Sequence, residues 1–175
     1  MIPVAIGSTA GMKPRLRGVL HHYAFFVSLV AGALLVALAR NRQAMLAGAV
    51  YALSLSALLG TSALFHRVTW SPSARRWMSR LDHAMIAVLI AGTYTPFGAL
   101  ALSGTRAAAV LAVVWGGAAV GILLHVAWID APKWLSAVLY VALGWVGIAA
   151  LPQLIVTVGW SPMVLLLTGG ILYSL

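Results

Sequence analysis

The chain predicts an all-α, polytopic bundle of membrane-spanning helices, and three observations carry that expectation. Charged residues make up 7% of its 175 residues and hydrophobic residues 63%, whereas ordinary soluble domains hold roughly 25% charged residues. Charge-free runs lie between Arg17 and Arg40, Arg42 and Arg67, Asp82 and Arg106, and Arg106 and Asp130. Each is long enough for the ~20 apolar residues that cross ~30 Å of hydrocarbon. Strict period-2 alternation, which a closed barrel needs, is missing throughout.

The elements follow in order. Residues 1–17 form a leader expected on the cytoplasmic side, and residues 18–175 form the transmembrane domain. Segment one runs from Gly18 to Ala39. Lys13, Arg15 and Arg17 precede it and Ala37-Leu38-Ala39 mimics a cleavage site, but its length exceeds the 7–15 residues of a signal core, so it is a retained helix. Segment two closes with Ser62-Ala63-Leu64-Phe65-His66. The stretch from Arg67 to Trp77 then predicts an interfacial turn and short helix, with Ser71-Pro72-Ser73 starting the turn and Trp70 and Trp77 at headgroup depth. Segment three opens at Asp82-His83. Within it Pro96 removes a backbone hydrogen bond and should kink the helix, and Thr93, Tyr94 and Thr95 can re-satisfy freed carbonyls. In segment four Gly116, Gly117 and Gly121, and in segment five Gly144, are close-packing positions. From Lys133 the chain is uncharged for about two spans, interrupted at Gly159-Trp160-Ser161-Pro162. That makes six hydrophobic segments. The last holds about fifteen residues, ~22 Å, and is expected to be incomplete.

The formal charge of +9 does not point to nucleic acid, because the basic residues sit in short loops beside apolar spans. Membrane lipids are the expected partners; the oligomeric state is open. There is no cysteine, hence no disulfide and no thiolate metal site. Lys13, Arg15, Arg17, Arg67, Arg75, Arg76, Arg80 and Lys133 fall on one side of the alternating spans, and Arg40, Arg42 and Arg106 on the other. The positive-inside rule therefore puts the N-terminus in the cytoplasm of a multi-pass cell-membrane protein.

Ionisable groups at such depth are costly, which makes them candidates for function. Asp82 is one of two acidic residues in the chain. With Ser62 and His66 it comes to the cytoplasmic third, and so do His21, His22, His83 and His125. Such clustering suits a metal or proton site. Histidine also tolerates interfaces, an acid at a helix N-terminus can be a cap, and a membrane serine can bond its own backbone. The residues alone leave both readings open.

An ordered set of motifs goes further. Lys13-Pro14-Arg15-Leu16-Arg17-Gly18, Ser62-x-x-x-His66, Asp82-His83, Ala91-Gly92-Thr93-Tyr94-Thr95-Pro96-Phe97, Leu143-Gly144-Trp145 and Gly169-Gly170-x-x-Tyr173 resemble the bacterial hemolysin III proteins of the progestin and adipoQ receptor superfamily, also known as membrane homeostasis proteins. The resemblance implies seven helices, a cytoplasmic N-terminus and a zinc site near the cytoplasmic face. It makes His66 a zinc ligand and places Ser62 and Asp82 beside the metal and its water. The two further histidines that it implies, in an H-x-x-x-H motif on a seventh helix, do not occur in this sequence. The expectation is a form truncated before that helix, with zinc retention and activity impaired. His22 stands where many relatives carry Glu.

By this resemblance the leading function is a zinc-dependent hydrolase of lipid amides or esters, with Asp82 as general base or water-orienting group and Ser62 bonding the developing oxyanion. The alternative is a non-enzymatic membrane-homeostasis factor or sensor. A cytolysin is less attractive, since six apolar helices have no soluble form, and a transporter is a distant fourth.

Overall fold

The computed structural model describes residues 18–128 and 132–174, apart from the side chains of Lys133, Pro162, Tyr173 and Ser174. The leader lies outside the described residues. Within them every regular element is helical: α1 (Val19–Ala37), α2 (Arg42–Arg67), α3 (Pro72–Leu100), α4 (Gly104–Ala127), α5 (Lys133–Trp145), α6 (Leu151–Val158) and α7 (Trp160–Ser174). A 3₁₀ stretch, Val146–Ala150, joins α5 to α6. Five spans are long and apolar enough to cross a membrane, with Trp134–Val158 as the fifth, and α7 contributes the shorter apolar stretch Met163–Leu172. The protein is an all-α, multi-pass transmembrane bundle.

Short connections make α1 to α4 sequential antiparallel neighbours. Side-chain caps start two of them. Asn41 accepts a hydrogen bond from the Ala44 N–H at 2.8 Å, and Ser71 accepts one from the Ala74 N–H at 3.3 Å, with Pro72 next in the first turn. Small residues then let the backbones approach. A β-carbon on Gly32 would stand 2.7 Å from that of Ala52, and one on Gly92 or Gly117 would collide with the Ser54 hydroxyl or the Leu143 side chain. Ser28 and Ser56 share a buried hydrogen bond of 2.9 Å between α1 and α2. Without a hydrophobic force between helices in lipid, close packing and such bonds are what hold a bundle together.

Two features differ from the sequence expectations. The turn between α2 and α3 is only Val68–Ser71, and the basic stretch after it is continuous with α3. Its 29 residues reach about 43 Å, roughly 13 Å more than the hydrocarbon is thick. The surplus is the basic start with Arg75, Arg76 and Arg80. Asp82 therefore lies three turns inside a helix capped by Ser71, so it is not the N-terminal cap that its position at the edge of the apolar run allowed.

The second difference is the 3₁₀ stretch. Gly144, Gly147 and Pro152 all weaken the α-helical ladder there. The hydroxyl of Tyr94 enters the gap: it donates to the Gly144 carbonyl at 2.5 Å and accepts from the Gly147 N–H at 2.7 Å. These two groups are three residues apart and would otherwise bond each other in a 3₁₀ turn. Thr93 and Thr95 donate to the Ile90 and Ala91 carbonyls in their own helix and Tyr94 reaches α5, so none of the three serves the Gly92 carbonyl that Pro96 leaves without its N–H partner. α3 is continuous through Pro96.

Candidate functional site at the histidine end of the bundle

The contact between Gly92 and Ser54 fixes the register of α2 against α3. From that level Ser62 is eight residues on, Asp82 ten and His66 twelve, all toward the same end. At 1.5 Å per residue these are rises of about 12, 15 and 18 Å. Asp82 thus sits at a depth between Ser62 and His66. The alternating helices bring α1's start, α2's end, α3's first half, α4's end and α5's start together there, and with them all five histidines.

Ser62 is buried, whereas Asp82 and His66 are half-buried. Ser54, Thr93, Thr95, Thr157 and Thr168 all donate to a carbonyl three or four residues earlier. Ser62 does not, and its hydroxyl has no partner among the described residues. Nor does the Asp82 carboxylate have a hydrogen-bond or salt-bridge partner among them. The nearby Arg80 guanidinium lies 4.5 Å from the Trp77 ring centre instead, and that of Arg75 lies 5.0 Å from Phe65. An acceptor and a hydroxyl are thus left uncommitted at one depth, without a hydrogen bond joining them.

His66 is held by its surroundings. Its ring tilts against Phe65 with centres 4.8 Å apart. Gly18, the N-cap of α1 with φ of 80°, comes so close that a β-carbon there would lie 2.7 Å from the His66 β-carbon. A left-handed φ and a close approach both call for glycine.

A second group of polar side chains was not separable in the sequence from the five histidines. The Tyr140 hydroxyl of α5 bonds the His83 carbonyl of α3 at 2.9 Å and the His125 Nε2 of α4 at 2.5 Å. The His83 and His125 ring centres are 5.5 Å apart. Deeper in the bundle is a cavity of about 720 Å³ with Leu89, Thr93, Tyr94, Phe97, Ile148 and Leu165 among its walls. Ser62, His66 and Asp82 are not part of that wall. Leu89 is seven residues from Asp82, about 10 Å along α3.

A family model described as Haemolysin-III related matches residues 10–175. The chain belongs to this family. Among curated relatives, "Hemolysin-3" of Bacillus cereus is 36% identical over 132 residues, 75% of this chain and 60% of that protein. "Hemolysin-3 homolog" of Bacillus subtilis (strain 168) is 35% identical over 125 residues, 71% of this chain and 58% of that protein. The match thus spans about three-fifths of the relatives' length. No solved structure matches the chain.

The zinc expected from the resemblance can be tested against the donor set. Tight zinc sites take three or four ligands from His, Cys, Asp and Glu. Among the described residues of this haemolysin-III-related chain no group of three or more such residues stands close enough to hold a metal ion. His66 by itself does not make up the three-ligand zinc set of the family resemblance.

Proposed function

We propose that this haemolysin-III-related protein serves hydrolysis of a lipid amide or ester at the histidine end of the bundle. The observation that supports the reading most is the pair of uncommitted polar groups, the Ser62 hydroxyl and the Asp82 carboxylate, at one depth on neighbouring helices. In lipid such groups are costly to leave unused. Asp82 would take a proton from an attacking water. Ser62 would donate to the oxygen on which negative charge develops. The cavity starting about 10 Å from Asp82 along α3 has a mainly apolar wall, which suits the hydrocarbon tail of a lipid whose head lies toward Asp82. On this reading the site faces the cytoplasm of the cell, on the side where Arg67, Arg75, Arg76 and Arg80 gather.

The alternative is a membrane-homeostasis factor without turnover. Lipid profiling separates the two. The product of the native gene, expressed in its host, should raise free fatty acid at the expense of one amide or ester class, and Asp82→Asn should restore the parent profile. Identical profiles for the wild type and Asp82→Asn would favour the homeostasis reading.

A further inference from the structure

The arginines around the turn between α2 and α3 are charged groups that the proposed hydrolysis does not use. Arg67 closes α2, and Arg75, Arg76 and Arg80 stand in the first turns of α3. Against these four cations the described residues hold one acid, Asp82, and it bonds none of them. Arg76 and Arg80 are four residues apart and so share one face of the helix, where like charges repel.

The turn that gathers them is fixed. Trp70 Nε1–H donates to the Leu64 carbonyl at 3.1 Å, and Ser71 caps α3. The Arg75 guanidinium lies 5.0 Å from the Phe65 ring centre, against the end of α2 that carries Arg67. That of Arg80 lies over Trp77 at 4.5 Å. Such stacking engages the flat face of a guanidinium and leaves its N–H edge for an acceptor.

Depth decides what that acceptor is. Counted from the contact of Gly92 with Ser54, Arg80 is twelve residues on, Arg67 thirteen, Arg76 sixteen and Arg75 seventeen. These are rises of about 18, 20, 24 and 26 Å, so the four positions share a layer about 8 Å thick. From Leu100, the far end of α3, to Arg80 is twenty residues, about 30 Å, which is the thickness of the hydrocarbon. With Leu100 at one border, Arg80 is at the other, and Arg75 and Arg76 stand about 6–8 Å beyond it. The headgroup layer is about 5–8 Å deep on each side. Trp77 and Leu81, one turn apart on α3, are both exposed. The cations therefore adjoin an apolar surface, which suits a membrane lipid and would be idle toward a soluble anion.

We infer that Arg67, Arg75, Arg76 and Arg80 form a docking surface for the headgroups of anionic phospholipids, with Trp77 and Leu81 meeting the chains beneath. The phosphodiester accepts from the guanidinium edges. A zwitterionic lipid also offers a phosphate, but its ammonium group is repelled by the same four cations, so the surface selects net negative charge. It uses none of Ser62, His66 and Asp82, and it stands or falls independently of the hydrolase reading.

The test is a competition between phosphatidylglycerol and phosphatidylcholine with identical acyl chains. Both are offered in equal amount to the protein in neutral detergent and counted on it by native mass spectrometry. Each cation near an anionic headgroup contributes roughly fivefold, so a preference for phosphatidylglycerol of at least about tenfold is expected. Arg76→Gln/Arg80→Gln should cut that preference by at least about fivefold, whereas Arg42→Gln/Arg106→Gln, which removes the same charge from the opposite end, should leave it within about twofold. Arg76 is exposed, so Arg76→Gln alone remains informative where the double variant loses its fold. Inorganic phosphate in large excess should not displace the bound phosphatidylglycerol. Equal retention of the two lipids, a preference that survives the loss of Arg76 and Arg80, or displacement by free phosphate would overturn the inference.

Discussion

Tyr94 is the side chain on which the shape of the bundle's interior depends most clearly. Replacing it by Phe keeps the ring but removes the hydroxyl that serves both the Gly144 carbonyl and the Gly147 N–H. A buried backbone group left unpaired costs about 1–3 kcal/mol in mutational series. Side-chain hydrogen bonds inside membrane proteins average about 0.6 kcal/mol and reach about 1.7. Two lost bonds therefore amount to about 1–3 kcal/mol. Part is recovered if the two orphaned groups close a 3₁₀ bond on each other, so about 2 kcal/mol is expected. Equilibrium unfolding in detergent, with Tyr51→Phe for comparison, measures it. Tyr51 also lines the cavity, but its hydroxyl has no partner among the described residues, so its loss should cost under about 0.5 kcal/mol. A Tyr94→Phe variant within about 0.5 kcal/mol of the parent would refute the bracing role.

Three other expectations follow from the same geometry. Gly18→Ala forces a β-carbon into a left-handed conformation and against His66, and should cost at least about 1 kcal/mol; thermal unfolding reads it, and an unchanged midpoint would contradict the close approach. A single cysteine at Ser73→Cys, in the basic start of α3, should resist a membrane-impermeant thiol reagent in intact cells and react after lysis, as the positive-inside rule expects of the proposed orientation. Ready labelling from outside reverses the orientation. Elemental analysis of the 175-residue chain after gel filtration should find well under one zinc per chain, since no group of three or more His, Cys, Asp or Glu among the described residues stands close enough to hold a metal ion; stoichiometric zinc abolished by His66→Ala would contradict that.

The fold was largely legible because membrane length and charge are coarse signals. Arg40, Arg42, Arg67 and Arg106 bracket the spans, and Gly159 interrupts the last pair where α6 gives way to α7. The start of α3 was not legible. Its first turns carry Arg75, Arg76 and Arg80 and so look like a loop to any reading based on apolar runs, although Ser71-Pro72 is a strong helix start. The 3₁₀ break was missed for a related reason: Gly144 and Gly147 are as common at packed helix faces as at breaks, and only the partner Tyr94, fifty residues earlier, distinguishes the two cases. For the site, the sequence placed Ser62, His66 and Asp82 at one end of the bundle, which the register supports. It could not show that Ser62 is uncommitted while other hydroxyls bond their own helices. Nor could it single out His83 and His125, because Tyr140, which orders them, carries no motif of its own.

The proposed hydrolysis is tested most directly by isotope transfer from water. The product of the native gene, purified and reconstituted with a panel of lipid amides and esters in H₂¹⁸O, is expected to release fatty acid carrying ¹⁸O in its carboxylate. Asp82→Asn should slow that release by roughly 10²–10⁴-fold, the usual contribution of a positioned base. Release at the same rate from Asp82→Asn, or no ¹⁸O-labelled acid from any lipid in the panel, would contradict the assignment of this site to lipid hydrolysis.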